Sequence, residues 1–332
     1  MEQRRESTLA VSAAWRTVAA VPAPLISARN LRKVFGEFVA VDDIDFTVEP
    51  GESFGFLGPN GAGKTSTMRM IGCVSPITAG SLQIFDLDAA TDGPAIRARM
   101  GVVPQADQLD PELTVVENLV IYGRYFDIPR AECRRRAAEL LEFVQLTDRA
   151  GDRVDPLSGG MKRRLTIARS LMSEPDLLLL DEPTTGLDPQ ARHILWDRLY
   201  RLKQDGVTLV LTTHYMDEAE QLCDRLVVMD QGRIVAEGSP RGLIEQYATR
   251  EVLELRFATG DVGDQDLLPD VDIDGIGDRA ELLPDRILIY AYDGEDALAE
   301  VHRRGLDPVG SLVRRSSLED VFLDVVREGE TA

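Results

Sequence analysis

The sequence predicts an α/β protein, with a core built on a mainly parallel sheet and a small α+β domain after it. As far as about residue 247, apolar strand-like runs alternate with helical stretches, and parallel strands need such crossovers between them. Beyond that point short strands and two helices follow in a different order. The charge changes at the same place. Residues 251–332 hold 8 Lys and Arg against 21 Asp and Glu, a net charge of −13, whereas residues 1–250 hold 29 against 36, a net charge of −7.

Length, composition and charge limit the class of protein. The 332 residues are typical of about two domains, and the hydrophobic content of 44% is typical of a soluble globular protein. No stretch approaches the ~20 apolar residues that span a bilayer, so we expect no direct membrane span. The net charge of −20 argues against a nucleic-acid partner. Residues 1–24 are predicted to be a disordered tail, because Arg16 interrupts their Ala-rich and Val-rich stretch and disfavours a signal peptide.

The first predicted elements are antiparallel strands. Short runs in which apolar and polar residues alternate, Val39–Val41 and Ile44–Val48 among them, follow a turn at Gly36. A strand over Glu52–Leu57 then leads through a glycine-rich turn to a helix over Lys64–Cys73.

The middle of the chain is predicted to be helical and then to return to strands. Apolar residues recur at helical spacing in two stretches of residues 107–150: Leu119, Tyr122 and Phe126 in the first, and Ala137, Leu140, Leu141 and Val144 in the second. After Ser158 we expect a helix, the strand Leu177–Leu180, a helix from about Gln190 to Gln204 and the strand Val207–Thr212.

The chain beyond residue 247 predicts a separate α+β domain. Strands are expected around Leu253–Phe257, Ile287–Tyr290 and Val309–Val313, with a helix over Glu295–Arg304. A last helix is expected over Ser317–Val326, with one apolar face formed by Leu318, Val321, Phe322 and Val325. Ser316 and Glu319, three residues apart, have the sequence pattern of a capping box for this helix.

A phosphate-binding loop is the first motif that carries chemistry. It reads Gly58-Pro59-Asn60-Gly61-Ala62-Gly63-Lys64-Thr65, and it lies between a predicted strand and a predicted helix. The glycines allow successive backbone N–H groups and the helix N-terminus to point at phosphate oxygens. Lys64 is expected to reach the β- and γ-phosphates, and the Thr65 hydroxyl to ligate Mg²⁺. By itself the motif predicts nucleotide binding.

Two carboxylates end the most uniformly apolar strand. Asp181 and Glu182 directly follow the run Leu177–Leu180, at the edge where an open α/β sheet binds its ligand. Asp181 is expected to hold Mg²⁺ through water, and Glu182 to act as the general base that polarises the attacking water.

The segment Leu157-Ser158-Gly159-Gly160-Met161-Lys162-Arg163-Arg164 narrows the class further. Ser158 and two glycines open a helix and so present a second N-terminal anion site, too far along the chain to complete the chain's own phosphate loop. The segment resembles the signature motif of ABC transporter ATPases, in which Gln is more frequent where this chain has Met161. The resemblance implies that Ser158, Gly159, Gly160 and Met161 cover a nucleotide bound by another copy, with one side-chain amide lost at Met161.

The same resemblance assigns further positions in the expected order. Gln105 matches the Q-loop residue that touches Mg²⁺ or water, Asp188 matches the D-loop, and His214 matches the switch histidine. Ser66 continues the phosphate loop. Phe35 resembles the aromatic residue that stacks on adenine, although a buried phenylalanine at a strand edge has the same sequence pattern.

The resemblance covers about residues 25–246 and implies an ABC-type P-loop ATPase fold. This fold has a RecA-like parallel-sheet core, an antiparallel β subdomain and a helical subdomain, here about residues 107–165. The expected division is an ATPase domain over residues 25–247, a small acidic C-terminal α+β domain over residues 248–328, and a tail over residues 329–332. Ser158–Arg164, Pro183–Arg192, Thr212–Asp224 and the ending from Ser316 look most like the nodulation factor and daunorubicin-type exporter ATPases.

The resemblance also implies partners and a location. Two copies pair head to tail around two ATP molecules with Mg²⁺, and they drive an integral-membrane permease on a separate chain, which places them at the cytoplasmic face of the cell membrane. Leu119, Tyr122, Tyr125 and Phe126 are candidates to receive a permease helix, and at least half of them are expected to be core instead. An importer ATPase and a soluble ABC ATPase outside transport stay open as alternatives. The transported substrate is not encoded in this chain.

Overall fold

The computed structural model describes residues 23–257 and 273–322. Residues 1–22 of the predicted tail, the predicted end of the last helix with Val325, and residues 329–332 lie outside the described residues. Within the described ranges, no helix has the length and apolar character needed to cross a membrane.

The described elements follow the predicted order. The strands are β1 (Ile26–Phe35), β2 (Phe38–Val48), β3 (Ser53–Leu57), β4 (Ala79–Ile84), β5 (Leu87–Asp88), β6 (Met100–Val103), β7 (Leu177–Asp181), β8 (Thr208–Thr213), β9 (Arg225–Asp230), β10 (Arg233–Gly238), β11 (Glu251–Arg256), β12 (Arg279–Leu283), β13 (Arg286–Ala291) and β14 (Gly310–Arg315). The helices are α1 (Lys64–Ile71), α2 (Gly93–Arg97), α3 (Val115–Arg124), α4 (Arg130–Phe143), α5 (Gly159–Ser170), α6 (Pro189–Gln204), α7 (Met216–Leu222), α8 (Pro240–Tyr247) and α9 (Gly294–Arg303), with a 3-10 turn over Thr147–Arg149.

An antiparallel sheet of order β2-β1-β4-β5 forms the first layer. The two apolar runs predicted at Val39–Val41 and Ile44–Val48 belong to one strand, β2, rather than two. The break in alternation between them is a bulge: Asp43 has φ 51°, and the pairing with β1 shifts register between Leu31 and Lys33.

A six-stranded sheet of order β10-β9-β3-β8-β7-β6 forms the core. All its strand pairs are parallel except β10 with β9. Every residue of β3 and β8 is buried, as expected for strands covered on both faces. The register pairs Leu57 with Thr213, and Leu180 with both Val103 and Leu211. The segments after β3, β6, β7 and β8 therefore meet at one edge of this sheet.

A helical segment packs beside the core sheet. α3, α4 and α5 enclose an apolar cluster that includes Leu119, Ala137 and Leu141. α3 begins with a capping box between Thr114 and Glu117 and ends before Phe126. Of the candidate permease-contact residues, Leu119 is fully buried, Tyr122 and Phe126 are half-buried, and Tyr125 is 78% exposed.

The C-terminal residues form a sheet of order β12-β13-β11-β14, with α9 against one face. The capping box predicted from Ser316 and Glu319 is wrong by one residue. Instead the Ser317 backbone N–H and hydroxyl both donate to Asp320, at 2.8 and 3.1 Å, and the helical residues begin at Leu318. The contact with α7 explains the shift, because the Leu318 N–H donates to Glu220 Oε1 (2.6 Å) and fixes where this helix starts.

The last described helix packs its apolar side chains on the core, while its Asp320 binds Arg314 and Tyr290 of the C-terminal sheet. Leu318 and Val321 are fully buried in one apolar cluster with Ala219 and Leu222 of α7. The C-terminal part of the chain therefore contributes Leu318 and Val321 to the apolar core that packs against α7.

Candidate functional site

The phosphate loop joins β3 to α1 in a conformation that only glycine permits at two points. Gly63 has φ 100°, and a Cβ added there would lie 2.5 Å from the Ala40 carbonyl oxygen. A Cβ on Gly58 would lie 2.3 Å from the Met229 carbonyl oxygen. At these two glycines the loop packs closely against the backbones of β2 and β9.

The N-terminus of α1 has the features of an anion site. Gly63 supplies no side-chain cap, and the first turn has no acidic residue, so the first N–H groups of α1 have neither a cap nor a negative charge beside them. The Lys64 ammonium donates to the carbonyl oxygens of Gly58 (2.7 Å) and Pro59 (2.9 Å), and the residue is 4% exposed. These groups fit the phosphates of a nucleotide in charge and in hydrogen-bond donors.

Burial lowers the pKa of the Lys64 ammonium, and the carboxylates of Glu182 and Asp181 act against this shift. The sheet order β3-β8-β7 places the end of β7 at the same edge as the phosphate loop, separated by one strand. The Lys64 cation at the start of α1 and the carboxylates of Asp181 and Glu182 after β7 thus share one site. Such a site suits a phosphate group bound together with Mg²⁺.

The end of β7 is held by its neighbour β8. The Thr212 hydroxyl donates to Asp181 Oδ1 (2.6 Å), and the Glu182 N–H donates to Thr212 Oγ1 (3.0 Å). Mg²⁺ keeps several waters and takes only one or two carboxylates besides substrate phosphates, and Asp181 with the Thr65 hydroxyl fits that need.

Two residues predicted from separate motifs, Gln105 and His214, lie at the Glu182 carboxylate. Gln105 Nε2 donates to Glu182 Oε2 (3.0 Å), across 77 positions of sequence. His214 Nδ1 lies 3.4 Å from Glu182 Oε1, without the geometry of a hydrogen bond. The Thr185 hydroxyl also donates to Oε2 (3.2 Å). The Glu182 side chain is only 10% exposed, so these groups form much of its immediate surroundings.

The Ser158 segment forms the N-terminus of α5. Ser158 is the cap, and its Oγ accepts a hydrogen bond from the Met161 N–H (3.3 Å). A Cβ on Gly160 would lie 3.0 Å from the Ala191 side chain of α6, whereas a Cβ on Gly159 would meet nothing within 4 Å. Met161 packs against the apolar cluster of the helical segment, which explains how an apolar residue is accommodated there.

Asp188 and Phe35 lie at exposed ends of elements. Asp188 caps α6 by accepting from the Ala191 N–H (2.8 Å). Because Ala191 lies against Gly160 of α5, the start of α6 is close to the start of α5. Phe35 ends β1, with its ring 51% exposed and the Lys33 ammonium 4.7 Å from the ring centroid. The alternative to adenine stacking was that Phe35 is a buried residue at a strand edge, and its exposure does not fit that alternative.

Three residues without a predicted role contact the β7 carboxylates or the backbone beside them. Thr185 and Thr212 bind the carboxylates, and Arg163 donates to backbone carbonyls on both sides of Glu182. A threonine at the end of an apolar strand was a usable signal for Thr212. Arg163 gave no signal, because it follows Lys162 and precedes Arg164 in a run that looks solvated.

The comparisons with known proteins agree with this geometry. A family model described as ABC transporter matches residues 41–185. The chain is 46% identical to the Nod factor export ATP-binding protein I of Cupriavidus metallidurans over 300 residues, which cover 90% of this chain and 96% of the relative. The protein of the same name from Bradyrhizobium diazoefficiens is also 46% identical, over 89% of this chain and 94% of the relative.

Solved structures with the same fold are ATP-binding cassettes. One is a dimeric cassette in a post-hydrolysis state, bound to ADP and Pi; it has a TM-score of 0.60 and 28% identity, and the match covers 64% of this chain and 98% of that one. Another is an ATP-binding subunit of an ABC transporter, with a TM-score of 0.61 and 32% identity over 67% of this chain and 93% of that one.

Proposed function

This chain belongs to the ABC transporter family of ATPases, and from that premise we propose that it is the ATP-hydrolysing subunit of an exporter that drives a permease on a separate chain. Gln105, Glu182 and His214 converge beside the phosphate loop, and this observation carries the ATPase part of the proposal. The exporter part is supported by the 46% identity to Nod factor export ATP-binding proteins over 90% of the chain.

In the proposed mechanism the phosphate loop binds ATP. Residues 58–66, with Lys64, bind the phosphates, and Phe35 stacks on the adenine. Thr65, Asp181 and Gln105 would hold Mg²⁺, which would neutralise phosphate charge when bound. Glu182 accepts the proton of the attacking water, and His214 orients the γ-phosphate. Gln105 and Thr185 both donate to Oε2 of Glu182. The other oxygen, Oε1, lies on the side of His214 and is available to the attacking water.

A second copy is proposed to complete the site. Ser158 and Gly159 are exposed, and their N–H groups at the start of α5 are available to a γ-phosphate bound by the partner. Gly159 has open space where a side chain would lie, which leaves room for a ligand from outside the chain. Asp188, at the adjacent start of α6, is proposed to contact the partner's site.

The permease is proposed to contact the groove beside α3. Tyr125 is exposed, and the Tyr122 ring lies between it and Phe126, with centroid distances of 6.4 Å to Tyr125 and 5.4 Å to Phe126. Val102 of β6 and Arg97 of α2 line the same groove. Through this contact the ATPase would be held at the cytoplasmic face of the membrane.

The substrate is proposed to be amphiphilic: a drug-like molecule, a lipid or a lipo-oligosaccharide. The test is to co-express the chain with the multi-span permease of the neighbouring reading frame and to prepare inverted membrane vesicles. ATP-dependent uptake of a labelled lipo-oligosaccharide or a fluorescent hydrophobic drug is expected, and the Glu182→Gln variant should give none. Uptake that requires an added extracytoplasmic binding protein, in right-side-out vesicles, would instead identify an importer.

We propose that residues 25–247 form the ATPase domain and residues 248–328 a separate C-terminal domain, and truncation tests this division. A chain that ends at Tyr247 is expected to bind ATP, because the residues assigned to nucleotide binding precede that point. Its stability should fall, since burial of Leu318 and Val321 against α7 is lost, about 1.5–3 kcal/mol for each side chain.

Fluorescent-nucleotide titration and thermal unfolding measure the two effects of this truncation. The double substitution Leu318→Ala and Val321→Ala in the full chain is the matched control, and its loss of stability should account for most of the loss on truncation. A folded truncated chain that fails to bind ATP would contradict the proposed boundary.

A further inference from the structure

Arg163 is a buried arginine in the helix that begins at Ser158. It lies on α5 and is 4% exposed. Within residues 23–257 and 273–322, the hydrogen bonds of its guanidinium go to backbone carbonyls and not to a carboxylate. Burial lowers the pKa of this guanidinium, opposed by Asp107, Glu218, Asp181 and Glu182. A buried cation is costly unless hydrogen-bond acceptors surround it. The guanidinium and the carbonyls that it binds must therefore keep their relative positions.

The guanidinium uses all five of its N–H groups on two segments of the site. On the segment after β7, Nε donates to the Pro183 carbonyl (2.8 Å), and Nη2 donates to the carbonyls of Asp181 (2.9 Å) and Glu182 (3.1 Å). On the segment after β6, Nη1 donates to the carbonyls of Pro104 and Gln105, the latter at 3.5 Å. One planar group thus links the backbones that carry Glu182 and Gln105.

The backbone that Arg163 holds is strained at Glu182. Glu182 has φ 45°, in the left-handed region that costs a non-glycine residue about 1–3 kcal/mol unless its surroundings impose it. Arg163 binds the carbonyls of residues 181, 182 and 183, and Thr212 binds the Glu182 N–H. These contacts impose the conformation that turns the Glu182 carboxylate toward Gln105 and His214.

We propose that Arg163 is a positioning residue that holds the Glu182 carboxylate and the Gln105 segment in their hydrolytic arrangement and ties that arrangement to the helix of the Ser158 segment. The inference rests on the proposed roles of Glu182 and Gln105. Arg163 makes no hydrogen bond to the phosphate loop among the described contacts, so it acts much more on the rate of hydrolysis than on the capture of ATP. A shift of α5 when a second copy docks would reach Glu182 through this guanidinium.

Arg163→Lys is the test substitution, because it keeps the charge and the aliphatic stem. A lysine has a single nitrogen and cannot reach five carbonyls on two segments. We expect kcat to fall about 10²-fold, as for a small misplacement of a catalytic group, with much smaller changes in the KM for ATP and in the affinity for Mg-ATP. Arg198→Lys is the matched control: it replaces another buried arginine, 9% exposed, which faces Asp197 and the Phe143 ring, and it should leave kcat unchanged.

Steady-state ATPase assays, nucleotide titration and thermal unfolding are run on both variants. A wild-type kcat in folded Arg163→Lys overturns the proposal, and so does a loss of ATP affinity as large as the loss of rate. If Arg163→Lys does not fold, Arg163→Gln removes the buried charge, keeps two N–H donors and is judged by the same split between kcat and KM.

A double-mutant comparison identifies the group through which Arg163 acts. In single turnovers, Arg163→Lys is expected to add no further loss to Glu182→Gln, because there is no longer a base to misplace. An equal loss in both backgrounds would show that Arg163 acts elsewhere and would overturn the inference. If Glu182→Gln itself hydrolyses ATP at the wild-type rate, the proposed base is wrong, a failure distinct from that of Arg163.

Discussion

Glu182→Gln is expected to lower the rate of ATP hydrolysis by about 10²–10⁴-fold, the contribution of a positioned general base. The glutamine carbonyl oxygen can still accept from Gln105 and Thr185, which now donate to Oε2, so the local geometry should be kept. What is lost is the basicity of the oxygen that lies 3.4 Å from His214 Nδ1. ATP and Mg²⁺ should still bind, because Lys64, Thr65 and Asp181 are unchanged, and the head-to-tail dimer should accumulate with ATP inside.

Size-exclusion chromatography with Mg-ATP and phosphate-release assays measure these effects. Asp181→Asn is expected to behave differently, since it weakens the Mg²⁺ site itself and should give no durable dimer. Glu245→Gln is the matched control for loss of a carboxylate, because Glu245 is an exposed residue of α8 paired with Arg241. Wild-type hydrolysis by Glu182→Gln would contradict its role as the base. An inactive variant that stays monomeric would mean that closure needs the permease.

Lys64→Ala is expected to abolish most ATP binding and, with it, hydrolysis. The ammonium is the buried cation of the phosphate loop, and each charge-assisted hydrogen bond to a phosphate is worth about 1.5–3 kcal/mol, so affinity should fall at least tenfold. The Gly58 and Pro59 carbonyls also lose their donor, which should loosen the loop in the nucleotide-free state.

Nucleotide titration of Lys64→Ala beside Arg69→Ala separates a binding defect from a folding defect. Arg69 lies on the same helix, α1, and its side chain is exposed, so its removal should change neither binding nor the thermal unfolding temperature. Undiminished ATPase activity in purified Lys64→Ala would contradict the assignment of the phosphate loop.

Local sequence patterns were sufficient for most elements of the core. The uniform run Leu177–Leu180 predicted a central strand, and β7 is buried along that run. Patterns failed where a tertiary contact set the boundary. The last helix begins at Leu318 because Glu220 of α7 binds its N–H group, and no feature of residues 316–319 alone encodes that contact.

By itself, the sequence determined which groups are available for chemistry: the phosphate loop, the two carboxylates after β7, and the serine and glycines that open α5. These depend on short-range turn geometry and on residue type, which neighbouring residues fix. Only the tertiary structure decided that Gln105 and His214 share one carboxylate, and that Arg163 holds its backbone. The physical reason is that these contacts depend on the strand order β3-β8-β7-β6 and on its register, which pack distant segments side by side.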